Sequence, residues 1–314
     1  MADLPILAIG GENLIDHVTR DGVVSACPGG SPFNVAMALG RQGSNVHYIS
    51  PISTDSWGDM LAETLLGSGV KLDGGRNPAP TTMARVTVND GVPSYRFERD
   101  QTAERQITGE TLAAALPEAA AAIHTGSLTL TDGADAAAWE AFCGECHDAG
   151  MLVSLDPNVR LSILSDVEGY RARILRMCRR LDLLKLSDED LEGLFTGRDE
   201  DAALTALREI TSARIVVLTR GANGVSAWIG ADRVDIPAAL VPKLVDTVGA
   251  GDTFTATMLA GLADKNALSG AALATLTRDD LTLLLHRAST AAALNCGRSG
   301  CNPPSRDEIE AATF

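Results

Sequence analysis

The sequence predicts an α/β protein: a mainly parallel sheet covered by helices, with a small separate β-sheet attached as a lid. Three observations carry this. From about residue 110 onward, short apolar runs alternate with helical periodicities, the rhythm of repeated βα units. Two early segments read as hairpins and do not fit that rhythm. The chain has 314 residues, too many for one ordinary small core, so a large domain with an appendage is the natural organisation.

The elements follow in order. "PILAIGG" is a short apolar run closed by glycines and reads as a buried strand. "NLIDHVTRDGVVSACPGG" alternates around Asp21-Gly22, which predicts a hairpin. From Ser31 to Gly40 the spacing of Phe33, Val35, Ala36 and Leu39 is helical, with Gly40 near the stop. "NVHYISPIS" predicts a strand, and "WGDMLAETLLGSG" a helix closed by glycine. "TTMARVTVNDGVPSYRFER" alternates, turns at Asn89-Asp90-Gly91 and returns through Tyr95 and Phe97, a second hairpin with an exposed face. Strands are then expected at "AAIHTGSL", "MLVSLDPN", "LDLLKLS" and "RIVVLTRG", with helices around 134–148, 168–180 and 188–195. These assignments place 12–30 and 81–103 in the small lid, and 1–11, 31–80 and 104–314 in the large domain. No repeat appears at a fixed period.

Composition narrows the partners. With 45% hydrophobic and 21% charged residues, the chain is of the soluble globular type. A net charge of −15 repels polyanions, so neither nucleic acid nor an anionic membrane is expected as a partner. The N-terminus has no basic start and no long apolar core, and "LTLLLHRASTAAAL" is interrupted by His286 and Arg287. A cytoplasmic location is expected, with the six cysteines as reduced thiols. Cys143-Gly144-Glu145-Cys146-His147 matches the C-x-x-C-H haem-attachment pattern. It lies in a helical stretch ending at Gly150, and haem attachment requires export. The expected reading is two cysteines and a histidine on or near a surface helix.

The chemistry-bearing stretch is "DTVGAGDTF". Gly249, Ala250 and Gly251 lead directly into Asp252 and an apolar helix. The first amides of a helix lack internal partners and carry partial positive charge, and glycines let an anion approach them. The tripeptide therefore suits a phosphate. Asp252 adds negative charge, which suits a group that accepts a proton from a hydroxyl while the amides hold a migrating phosphoryl group. A helix-capping aspartate fits the same residues, and the choice needs an independent signal. "CPGGSPFNVAMALGRQG" supplies one: two glycines, a small residue and Asn34 ahead of an apolar helix.

"GGSPFNVAMALGRQG" and "DTVGAGDTFTATMLAGL" resemble the two signature motifs of the PfkB-type, ribokinase-like carbohydrate kinases. "GENLID", "FERDQTAERQIT", "SLDPNVR", "KLSDEDLEGLF" and "VLTRGANGV" fit between and around them in the right order. The resemblance runs from about residue 6 to 310 and is nearest the fructokinase branch. It implies a ribokinase-like three-layer αβα core with a β lid, binding ATP and Mg²⁺. Asp16, Gly29, Gly30 and Asn34 would then hold sugar hydroxyls, with Arg99 and Arg160 as further candidates. Asp252 would be the base, and Gly249, Ala250 and Gly251 the anion hole. Ser187, Thr219, Gly221, Gly224 and Asn295 would lie along ATP, Asp190 near magnesium, and Asp246 beside a monovalent cation such as K⁺. Three positions depart from the family pattern. The N-x-x-E motif appears as Ser187-Asp188-Glu189-Asp190, which makes Glu189 an alternative to Asp190. Glu104 stands where the fructokinase pattern has Asp, and Cys301 lies in a segment often built from small residues.

The resemblance implies an ATP-dependent sugar kinase acting on the primary hydroxyl of a ketose, with D-fructose first. A 2-keto-3-deoxygluconate kinase is the rival and would need a committed arginine; ribokinase is less favoured. A nucleoside kinase would want aromatic walls, and the chain has only three Trp, three Tyr and six Phe. A noncatalytic sugar sensor of the same fold would not need Asp252. The dinucleotide fingerprint and the Walker-type G-x-x-x-x-G-K-[ST] are both absent. The exposed lid sheet suits pairing into a homodimer.

Overall fold

The computed structural model describes residues 4–20, 23–89, 92–241 and 243–312. A nine-stranded sheet runs through it in the order Asp232–Ile236, Val225–Ile229, Ile215–Thr219, Leu183–Ser187, Leu152–Asp156, Ala120–Gly126, Ile6–Ile9, Asn45–Tyr48 and Lys71–Leu72. From Ile215–Thr219 to Lys71–Leu72 every pairing is parallel, and the two strands beyond Thr219 pair antiparallel. Alternate residues face opposite layers, as strand geometry requires. Leu183 joins the core that contains Phe254, Met258 and Leu285, whereas Leu184 and Leu186 join the core that contains Trp139, Tyr170 and Leu207. The result is three layers, αβα. The 19-residue helix Arg278–Cys296 is the longest of those described, and among the described residues no helix is long and apolar enough to cross a membrane.

A second sheet has the order Val23–Gly29, Leu14–Arg20, Thr82–Asn89 and Val92–Glu98. Both predicted hairpins are antiparallel pairs, and their inner strands pair parallel, which joins them into one sheet. The turn residues Asp21-Gly22 and Asp90-Gly91, and the side chain of Tyr95, lie outside the described residues. Leu14, Ala84 and Leu128 pack together with Phe97 and Ile163, seating this sheet on the main body. A polar knot joins them as well. Arg99 donates to both oxygens of Glu104, at 2.8 and 3.2 Å, and Glu104 also accepts from the Thr82 hydroxyl at 2.9 Å.

Two expectations are corrected. "NVHYISPIS" is two strands, because Ile52–Ser53 leaves the main sheet to pair with Arg76–Asn77. The sulfurs of Cys143 and Cys146 are buried in the core beneath the helix Gly133–Asp148, so only the helix itself is superficial.

Candidate active site

The parallel strands end on one edge of the sheet, where α/β folds place their ligands. Several chain segments meet there. The first is the turn into the helix Ala250–Asp264. Gly249 caps it in the left-handed region at φ 75°, and a Cβ at this position would lie 2.2 Å from Cys301 Sγ. Glycine is therefore required on both conformational and steric grounds. Thr253 N–H closes on Gly249 O at 2.8 Å, leaving Gly251 and Asp252 as first-turn amides with no acceptor one turn back. The Ala250 N–H, expected in the anion hole, instead turns back to Thr247 O at 3.2 Å.

The second segment is the glycine pair before the helix Ser31–Arg41. Gly30 has φ 107°, and a Cβ there would meet Glu12 O at 2.5 Å. A Cβ on Gly29 would lie 2.4 Å from Asp16 Oδ2, so the backbone runs directly against that carboxylate. The helix that follows presents Ser31 and Asn34 to Asp252. Ser31 Oγ donates to Asp252 Oδ1 and Asn34 Nδ2 donates to Asp252 Oδ2, each at 2.7 Å. Asn34 Oδ1 is buried without a hydrogen-bond partner, an acceptor left over for a ligand's hydroxyl.

Burial pushes the Asp252 carboxyl up to about 6; the bonds from Ser31 and Asn34 pull the other way, and the charge of Asp156 adds to the rise. Asp16 is also raised to about 6, by burial and then by the charge of Asp252. Two carboxyls thus titrate near neutrality within reach of each other's field, the usual condition of acid–base sites.

Several groups here were not singled out from the sequence. Glu12 accepts from Ser31 N at 3.0 Å, Thr129 N at 3.2 Å and Thr129 Oγ1 at 2.9 Å, which ties the start of the Asn34 helix to the sheet edge. Its carboxyl is raised to about 7 by burial, against the opposing pull of Arg99. Lys185 Nζ donates to Asp156 Oδ2 at 2.8 Å, both side chains buried, and lies 3.0 Å from where a Gly251 Cβ would be. A lysine between leucines in "LLKLS" was the available signal: a charge in an otherwise apolar strand is rarely buried without a task.

On the nucleotide side, Ser187 and Thr219 are register partners at the ends of adjacent strands, and Gly221 and Gly224 form the turn that follows. A cavity of about 730 Å³ lies beyond them, lined by Pro237, Ala239, Leu240, His286, Thr290 and Arg298 among others.

Four expected ligand residues already have hydrogen-bond partners within the protein. Arg99 is committed to Glu104 and to Thr131 Oγ1. Arg160 is exposed and donates to Val159 O at 3.0 Å. Asp190 closes a capping box with Ser187 and also accepts from Val159 N at 2.6 Å, so both its oxygens hold backbone. Asn295 is fully buried, with both ends of its amide on main chain. Among the described residues no group of three or more His, Cys, Asp or Glu is placed to hold a metal ion.

The family model described as pfkB family carbohydrate kinase matches residues 14–308. The chain is 38% identical over 277 residues to a fructokinase of Rhizobium leguminosarum bv. trifolii, covering 86% of this chain and 84% of that protein. Among solved structures, a fructokinase with bound ATP from Xylella fastidiosa superposes with a TM-score of 0.88 at 27% identity, covering 98% of this chain and 97% of that one. A fructokinase double mutant from Vibrio cholerae O395, in fructose, ADP and potassium ion bound form, shares the fold with a TM-score of 0.85 at 21% identity over 99% of each chain.

Proposed function

The chain belongs to the pfkB family of carbohydrate kinases, and from that premise we propose that it transfers the γ-phosphoryl group of ATP to the primary hydroxyl of a ketose, D-fructose first. The observation that carries the reading is Asp252, buried at the mouth of a helix and gripped by Ser31 and Asn34. Asp16, Asn34 Oδ1 and the bare backbone at Gly29 and Gly30 suit an uncharged polyol. Asp252 takes the hydroxyl proton as the oxygen attacks. The Gly251 and Asp252 amides, with Lys185 beneath them, meet the charge on the migrating group. The exposed apolar loop through Leu240, Leu244, Val245 and Val248 would cover the base of ATP over the adjoining cavity.

Among the described residues no side-chain cluster forms a cage for magnesium, so a divalent ion fits here as one that arrives on the nucleotide phosphates with its water. Asp190 then positions the Ser187 turn, and Glu189 is the freer carboxylate. The small sheet acts as a lid that excludes water, and its exposed edges pair two subunits into a dimer. A monomer at micromolar concentration would refute the pairing. A cytoplasmic site of action belongs to the same proposal, where ATP is at hand.

The keto-deoxy acid reading loses support because Arg99 is already neutralised by Glu104. Turnover with ATP–Mg²⁺ on ketoses, aldoses, keto-deoxy acids and nucleosides tests the proposal. D-Fructose should give the highest kcat/KM; turnover on nucleosides alone would refute it.

A further inference from the structure

The family resemblance puts a monovalent cation beside Asp246, yet the oxygens of that loop, both carboxylate oxygens of Asp246 and Val248 O, each already accept an N–H. Asp246 Oδ1 accepts the Val248 N–H at 3.1 Å, and Oδ2 accepts the Gly300 N–H at 2.9 Å. Val248 O, on the same loop, accepts Asn295 Nδ2 at 2.8 Å, while Asn295 Oδ1 takes the Asn302 N–H at 2.9 Å. A bound cation needs oxygen lone pairs aimed at one point, and N–H groups aimed there oppose it.

We propose that Asn295 stands in for that cation. Its amide is a built-in clamp that ties the loop 245–249 to the loop 297–303, so the enzyme does not depend on potassium. Three features support this. Asn295 is fully buried in the helix Arg278–Cys296, so packing fixes where its amide points. The next residue continues the clamp, for Cys296 O accepts both Val245 N at 2.9 Å and Asp246 N at 3.2 Å. The clamped loop ends at Gly249, whose backbone is pressed against Cys301. Fixing Val248 therefore fixes the left-handed turn that aims the Gly251 amide and Asp252. Asn295 is on this account a positioning residue, and the inference rests on Asp252 being the base.

The test is a salt series at constant ionic strength, in potassium, sodium and tetramethylammonium, reading kcat, both KM values and thermal unfolding. Wild-type kcat should vary by less than about twofold and Tm should not move. Asn295→Ala should lower kcat about tenfold or more with the sugar KM kept within about threefold, the pattern of a misaimed reacting group. A merely structural loss would lower Tm and raise both KM values together, and that pattern overturns the proposal. Activation of the wild type by potassium of more than about fivefold also overturns it, and this arm needs no variant to fold. Either failure leaves the role of Asp252 standing, since that role is read separately from Asp252→Asn.

Discussion

Asn34 Nδ2 donates to Asp252 Oδ2 at 2.7 Å although 218 positions separate the two in the chain. This bond joins the sugar-side glycine motif to the phosphate-side glycine motif and makes one site of them. Ser31, at the start of the same helix, holds the other carboxylate oxygen. The pair fixes where the carboxylate points before any substrate arrives, which is the preorganisation that phosphoryl transfer relies on.

Activity should depend on pH through this carboxylate. Asp252 and Asp16 are each raised to about 6, chiefly by burial, and the charge of Asp252 adds to the rise of Asp16. A base must be ionised to act. kcat/KM should therefore be flat above about pH 7 and fall through pH 6, steepening toward two protons below it. A profile flat down to pH 5 would contradict the assignment.

The same shift sets a stability trend. The Asp252 carboxyl is higher in the fold than in the unfolded chain, so its favourable contribution is complete at low pH and is lost as pH rises through about 6. Asp252→Asn should then raise Tm by several degrees at pH 8, with the gap narrowing below pH 6 and closing only near pH 4, the unfolded carboxyl's range. An equal or lower Tm for the variant at pH 8 would refute the burial cost.

Gly29→Ala places a Cβ 2.4 Å from Asp16 Oδ2 and must displace that carboxylate. The sugar KM should rise about tenfold or more with the ATP KM little changed. Steady-state kinetics with each substrate varied separates the two; an unchanged sugar KM would remove Asp16 from the sugar site.

Gly249→Ala meets two obstacles, a left-handed backbone and the Cys301 sulfur at 2.2 Å. kcat should fall by about 10² or more. Cys301→Ala in the same chain relieves the clash but not the backbone strain, so it should restore only part of the loss, which parallel kcat measurements will show.

Much of this was legible in the sequence, for stated reasons. The βα rhythm after residue 110 and the two alternating hairpins define the layers, because periods of 2 and 3.6 are local. Asp252 and Asn34 were singled out through their glycine neighbours, and Asp16 only through the family resemblance of "GENLID". The edge hairpin Val225–Ile236 went unread because its strands are short and its second strand is half polar. Ser31 and Glu12 were missed because a serine opening a helix and a glutamate beside a glycine pair are commonplace; only the three-dimensional meeting of distant segments gives them their partners. Asn295 and Asp190 carry a part that the motif did not report. The motif placed them beside the nucleotide, but their hydrogen bonds go to backbone, which sequence spacing does not report.

The central claim is that Asp252 removes the proton from the sugar hydroxyl. Single-turnover phosphoryl transfer to D-fructose, measured for wild type and Asp252→Asn beside calorimetric sugar binding, tests it most directly. The account predicts a rate lower by at least ~10² with sugar affinity nearly kept; an unchanged rate at equal affinity would contradict it.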